Sequence, residues 1–183
     1  PYTTLFRSAD NGAGYLLPGM LQEPRPISGL PSALGAWKKH CSEYYDKWGL
    51  SITGFIIDGE APGLNNEGLD CYADFSPNGI VPQKTPLTSL HGPMPVIRSD
   101  YDIVDNDPLK ATNIVIERVN KRPIPFHWFR AILKSPTWYK TINDELKQKG
   151  TNIELLDAPT FFELYRIYLE QNPDAAQGKI VMK

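Results

Sequence analysis

"AWKKHCSEYYDKWGLSITGFIID", residues 36–58, decides the fold class. With the residues just before it, the first half places Leu30, Leu34, Trp37, Cys41, Tyr44 and Trp48 at steps of three and four. That spacing draws one apolar stripe on a helix from about Pro31 to Trp48. Pro31 suits a first helical turn, and Gly49 suits the position just past the last. The second half, "LSITGFIID", changes period. It is short and β-branched, which is the composition of a buried strand, and it ends on Asp58.

The same alternation continues along the chain. A loop-rich stretch, 59–95, holds a short helix around Asn66–Phe75 and a weak strand near Gly79–Val81. "PVIRS" (95–99) reads as a strand. Asp107-Pro108 then provides a cap and a first-turn proline for a helix to about Val119, with Leu109, Thr112, Ile116 and Val119 inward. "PIPFHWFRAIL" (123–133) reads as a strand. Ser135-Pro136 opens a helix burying Trp138, Ile142 and Leu146 and closing at Gly150, and "TNIELL" (151–156) reads as another strand. Asp157 caps a last helix with Phe161, Phe162, Tyr165, Tyr168 and Leu169 inward, ended by Asn172-Pro173, with a frayed tail over 172–183. Strands alternating with helices predict an α/β fold with a largely parallel sheet. A complete (β/α)₈ barrel takes about 250 residues. The 183 residues here therefore predict part of a TIM-like barrel or a smaller open sheet.

Composition narrows the partners. A formal charge of −2 gives no reason to expect nucleic acid. From Asp58 to Asp107 nine acidic residues stand against Lys84 and Arg98, whereas Glu117–Lys149 carries eight basic residues against three acidic. Solvated loops and helix faces account for that asymmetry. Cys41 and Cys71 lack any zinc-type spacing, and two buried thiols are favoured over one disulfide. No apolar run approaches the ~18 residues of a membrane span, and no sequence feature calls for a cofactor. "PYTTLFRS" (1–8) has neither a helical nor a strand pattern and resembles a translated sequencing adaptor. On that reading native sequence starts near Ala9, and the absence of a signal peptide is uninformative.

"NGAGYLLPGM" (11–20) invites a phosphate-loop reading, which fails. A dinucleotide fingerprint needs a third glycine where Leu17 stands, and Pro18 would sit badly in the first turn of the following helix. What remains is a glycine-permitted turn presenting Tyr15, with Asp10 and Asn11 just before it. "GAGYLLP" resembles the signature of the GxGYxYP family, grouped with the glycoside hydrolases. Gly12, Gly14, Tyr15 and Pro18 match, and Leu17 replaces the second aromatic. The helix around "AWKKHCSEYYDKWGL", the strand ending "IID", "PFHWF" and "IELLDAPTFFELYRIYLE" follow in the order of that family's C-terminal domain, so the resemblance covers most of residues 9–171. It implies a carbohydrate substrate, an N-terminal partner region of the same protein, and a secreted or periplasmic location.

Glycoside hydrolysis uses two carboxylates. The best local pair is Asp58 and Glu60 in "IIDGE", catalytic candidates on one face of an extended backbone, about 6.5–7 Å apart. That spacing suits inversion better than retention. The plainer alternative is that Asp58 caps the following loop and Glu60 is solvated. Asp10, Asn11, Gly12, Gly14 and Tyr15, with Arg98, His127 and Trp128, are the substrate-binding candidates. His127 and Trp128 are neighbours on a strand and so face opposite ways. "DYDIVDND" (100–107) does not fit an EF-hand loop, since Asp105 stands where that loop needs glycine, and no metal is expected. Two rival functions remain open. One is a non-catalytic domain supporting a catalytic half elsewhere. The other is a metal-dependent deacetylase-like esterase.

Overall fold

The computed structural model describes residues 13–14, 16–23, 25, 27–58, 61–84, 88–122 and 124–176. Asp10, Asn11, Gly12, Tyr15 and Glu60, together with residues 1–8 and 177–183, lie outside the described residues. The chain divides into two compact units. Of the described residues, one unit comprises those up to Arg98 together with Ala158–Ala176; the other contains Ser99–Asp157.

The first unit is an open sheet of β1 (Ile52–Ile56), β2 (Gly79–Pro82), β3 (Thr88–His91) and β4 (Met94–Ile97), in the order β1-β2-β4-β3. Strands β1, β2 and β4 are parallel, with Ile52 opposite Gly79 and Ile80 opposite Val96. Strand β3 runs antiparallel to β4 through the two-residue turn Gly92-Pro93, where Gly92 has φ +57°. That left-handed residue is what so tight a hairpin requires. The Gly-Pro pair is the signal for β3 inside the stretch read as loop.

Helices α1 (Leu34–Trp48) and α2 (Asn66–Phe75) bring Leu34, Trp37, Cys41, Cys71, Tyr72 and Phe75 into one core with Ile56, Ile80, Met94 and Val96 of the sheet. Trp37 meets Tyr72 and Phe75 edge-on, at centroid separations of 4.9 and 5.1 Å. Cys41 and Cys71 are both buried free thiols. Asn65 caps α2 by accepting from the Gly68 N–H at 2.9 Å, and Gly49 (φ +65°) closes α1 by donating to Tyr45 O at 2.8 Å. Leu30 and Trp48, expected at the ends of the α1 stripe, are exposed. The first precedes the helix and the second is its last residue.

Helix α5 (Ala158–Gln171) packs on β1, β3 and β4, with Phe161, Phe162, Tyr165 and Leu169 buried. The Tyr165 hydroxyl donates to Val96 O at 3.2 Å. Ile80 belongs to the α1/α2 core while its neighbour Gly79 faces Phe162, as alternation along a strand dictates. The short helix α6 (Pro173–Ala176) follows where a frayed tail was expected, and it packs against β3.

The second unit pairs β5 (Tyr101–Ile103) with β6 (Phe129–Ala131) in parallel, Asp102 opposite Arg130. Helices α3 (Pro108–Asn120) and α4 (Pro136–Gln148) pack on each other, and Ile103, Ala111, Val115, Trp138, Ile142 and Leu146 form the core. Asp107 and Ser135 cap these helices, accepting from Leu109 N at 2.9 Å and Trp138 N at 3.2 Å. Three expectations need correction here. Leu109 is exposed; Thr112 faces inward as read, but it shares the buried face with Ala111 and Val115, while Ile116 and Val119 are only partly buried against it. The strand read over 123–133 is only three residues long, and just before it the Trp128 N–H goes to the Asp100 carboxylate rather than to a ladder partner. Residues 151–156 form no strand: the Thr151 N–H and hydroxyl both turn back to Leu146 O, at 3.2 and 3.0 Å, finishing α4. The fold is thus α/β with open, mostly parallel sheets. Among the described residues no helix is long and apolar enough to cross a membrane.

Candidate functional site

Parallel strands deliver their carboxyl ends to one edge, where open α/β sheets build their sites. In the first unit that edge carries Asp58 after β1, Gln83 and Lys84 after β2, and half-buried Arg98 after β4. Asp58 is 0% exposed. Its Oδ1 accepts from the backbone N–H of Gln83 at 2.7 Å and of Lys84 at 3.1 Å, and its Oδ2 accepts from Lys84 N at 3.3 Å. Its own N–H donates to Gln83 Oε1 at 3.1 Å. The Lys84 ammonium donates to Ala61 O at 2.6 Å. Burial pushes the Asp58 carboxyl above the usual carboxylate range, against the opposing pull of the Gln83 and Lys84 N–H groups and the Lys84 charge.

The glycine-rich motif docks on the loop that follows Asp58. Gly14 has φ +62° and lies exposed, with nothing close to where a Cβ would stand. Gly19 is the glycine under steric demand. It sits in the 3₁₀ turn Pro18–Leu21, and a Cβ there would meet Pro62 O at 1.8 Å. Gln22 completes the seam: its amide donates to Gly63 O at 3.1 Å and its Oε1 accepts from Asn65 N at 2.7 Å. Sequence reasoning missed Gly19 and Gln22 by following the first two glycines. The Pro18-Gly19 pair was the available turn signal.

The second unit holds another polar cluster, centred on a residue that the sequence did not single out. Asp100, with its side chain 1% exposed, pairs through Oδ1 with the Arg122 guanidinium and lies 3.4 Å from His127 Nδ1. Its Oδ2 accepts from Trp128 N, and its own N–H donates to Trp128 O, both at 2.8 Å. His127 and Trp128 therefore meet at the start of β6 around one carboxylate. Asp58 and Arg98 belong to the other unit. The remaining acids of 100–107 disperse: Asp102 pairs with Arg130, Asp105 accepts from Asp107 N at 2.8 Å, and Asp107 caps α3. Among the described residues no group of three or more His, Cys, Asp and Glu is placed to hold a metal ion.

Burial and the adjacent Arg122 charge hold His127 down at about 4, against its ordinary value of 6.5. The folded chain thus binds fewer protons than the unfolded one between those values. Stability from this site is fully present above pH 6.5 and is lost as pH falls through about 4. The loss amounts to about 3 kcal/mol at its limit. Denaturant titrations at pH 7 and pH 4 should show it, and a His127→Gln variant should flatten that window.

No protein-family model matches the chain, and no curated protein or solved structure matches it at a significant level.

Proposed function

We propose that this chain is the α/β part of a glycoside hydrolase resembling the GxGYxYP family, acting on an oligo- or polysaccharide through carboxylate acid/base chemistry. The observation that carries the reading is Asp58: a buried carboxyl at the carboxyl ends of parallel strands, with its proton affinity raised by burial. A general acid must keep its proton until the leaving oxygen needs it, and desolvation is the usual means. In this reading Asp58 protonates the glycosidic oxygen, and Glu60, two residues on, activates water or attacks the sugar. Gly19 and Gln22 hold the motif segment against residues 62–65, on the loop that follows Asp58 in the chain, and in this reading that segment supplies a rim of the sugar site. Arg98 at the same edge contacts sugar hydroxyls.

One observation favours a second reading, a non-catalytic sugar-binding or supporting domain. Asp58 is fully enclosed and takes its hydrogen bonds from the end of β2, so it also serves as a staple between two strand ends. Turnover on a panel of aryl glycosides and polysaccharides separates the two. Under the first reading Asp58→Asn and Glu60→Gln each reduce turnover about a hundredfold or more, near 2.7 kcal/mol of barrier. The Asp58→Asn melting temperature stays near wild type, because the amide oxygen still accepts from Gln83 and Lys84. Sugar binding with turnover that neither substitution changes, or with no turnover at all, establishes the second.

A further inference from the structure

The docked motif creates a feature that the glycosidase reading does not use. Residues between Leu16 and Ser28 line an open depression of about 430 Å³ in the first unit. That volume lies within the range of small-molecule sites. Its wall is aliphatic, with Leu16, Leu17, Met20, Leu21 and Ile27 contributing. Leu16 and Leu21 also pack against the α1/α2 core, which gives the wall a rigid backing. Among the described residues, Arg25 is the one charged side chain in this lining. Its Nε is buried and has no hydrogen-bond partner among the described residues.

Those facts select a ligand chemistry. A buried guanidinium N–H without an acceptor costs free energy until an acceptor arrives, and planar oxyanions match its geometry best. An aliphatic wall adds nothing for a polyhydroxylated ring but gains from each buried methylene, about 0.8 kcal/mol apiece. We infer that this pocket binds an amphipathic monocarboxylate, its head on Arg25 and its apolar body along Leu16, Leu17, Met20 and Ile27. The site does not rest on chemistry at Asp58, since binding is read without turnover.

The test titrates the full chain with octanoate, octanol and octylamine, following backbone amide shifts by NMR. Octanoate binds and moves the amides of residues 16–28. Octanol, with the same body and no charge, binds about tenfold more weakly, the size expected for one charge-assisted hydrogen bond. Octylamine does not bind there. Arg25→Gln removes most of the preference for octanoate over octanol. Ile27→Asn changes an exposed rim residue, so the fold is untouched, and it weakens both octanoate and octanol a few-fold. Equal binding of octanoate and octanol, shifts confined to other residues, or full octanoate affinity in Arg25→Gln overturns the proposal. Should Arg25→Gln lower the melting temperature, the wild-type ligand comparison and Ile27→Asn decide the matter alone.

Discussion

Replacing Asp100 with alanine is expected to destabilise the second unit by about 3–5 kcal/mol, the usual cost of stripping one partner from a buried ion pair. Arg122 and Asp100 are 11% and 1% exposed in their side chains, so water cannot take over the role of the lost carboxylate. Removal also leaves Trp128 N without its acceptor and deprives His127 Nδ1 of its neighbour. These groups secure the chain just before β5 to the chain just before β6, so both strands should loosen together. Hydrogen exchange of the Trp128 and Phe129 amides is the direct measurement, with denaturant unfolding beside it. An Asp100→Ala/Arg122→Met double variant should recover part of the loss, because the stranded cation is gone. A loss below 1 kcal/mol for Asp100→Ala would mean that solvent screens the pair.

Gly79→Ala should cost about 4 kcal/mol, combining backbone strain with overpacking. Gly79 opens β2 at φ +146°, a backbone region that residues with a Cβ rarely occupy. An added Cβ would also stand 2.2 Å from Cδ1 of Phe162, a buried ring of α5. The ring has little room to retreat, since Phe161 lies against it edge-on at 5.4 Å. A second substitution, Phe162→Ala, tests the assignment. It removes the clash but not the strain, so Gly79→Ala should cost less in that background than in wild type. Equal costs in both would place the whole effect in the backbone.

The helices were legible because their apolar stripes and caps are written locally. Asn66–Phe75 and the Pro-started helices at 108 and 136 lie where their residues place them. What failed was rotation and pairing. Leu109 reads as inward by period, yet it is exposed, and Ala111 and Val115 join the correctly read Thr112 at the core. Residues 151–156 have strand composition but no ladder, because Thr151 spends its donors on the preceding helix. The site shows the same division. Asp58 is visible as an acid closing a β-branched run. Asp100 is not, because its significance depends on Arg122 and His127, more than twenty residues away, and it sits in an acidic run whose members go to different partners.

The first unit is built from two stretches of chain that flank the second. This has a consequence for synthesis on the ribosome. Strands β1, β2 and β4 are complete at Ile97, but the helix that covers their Gly79 face starts only at Ala158, about sixty residues later. At common translation speeds that interval lasts about 3–12 s. Throughout it the nascent sheet presents one bare apolar face, and Ser99–Asp157 can fold before its neighbour is finished. The slow step of biogenesis is then the return of α5, with Tyr165 reaching back to Val96 to close the unit. Chaperones that hold exposed apolar surface have their opening in that interval.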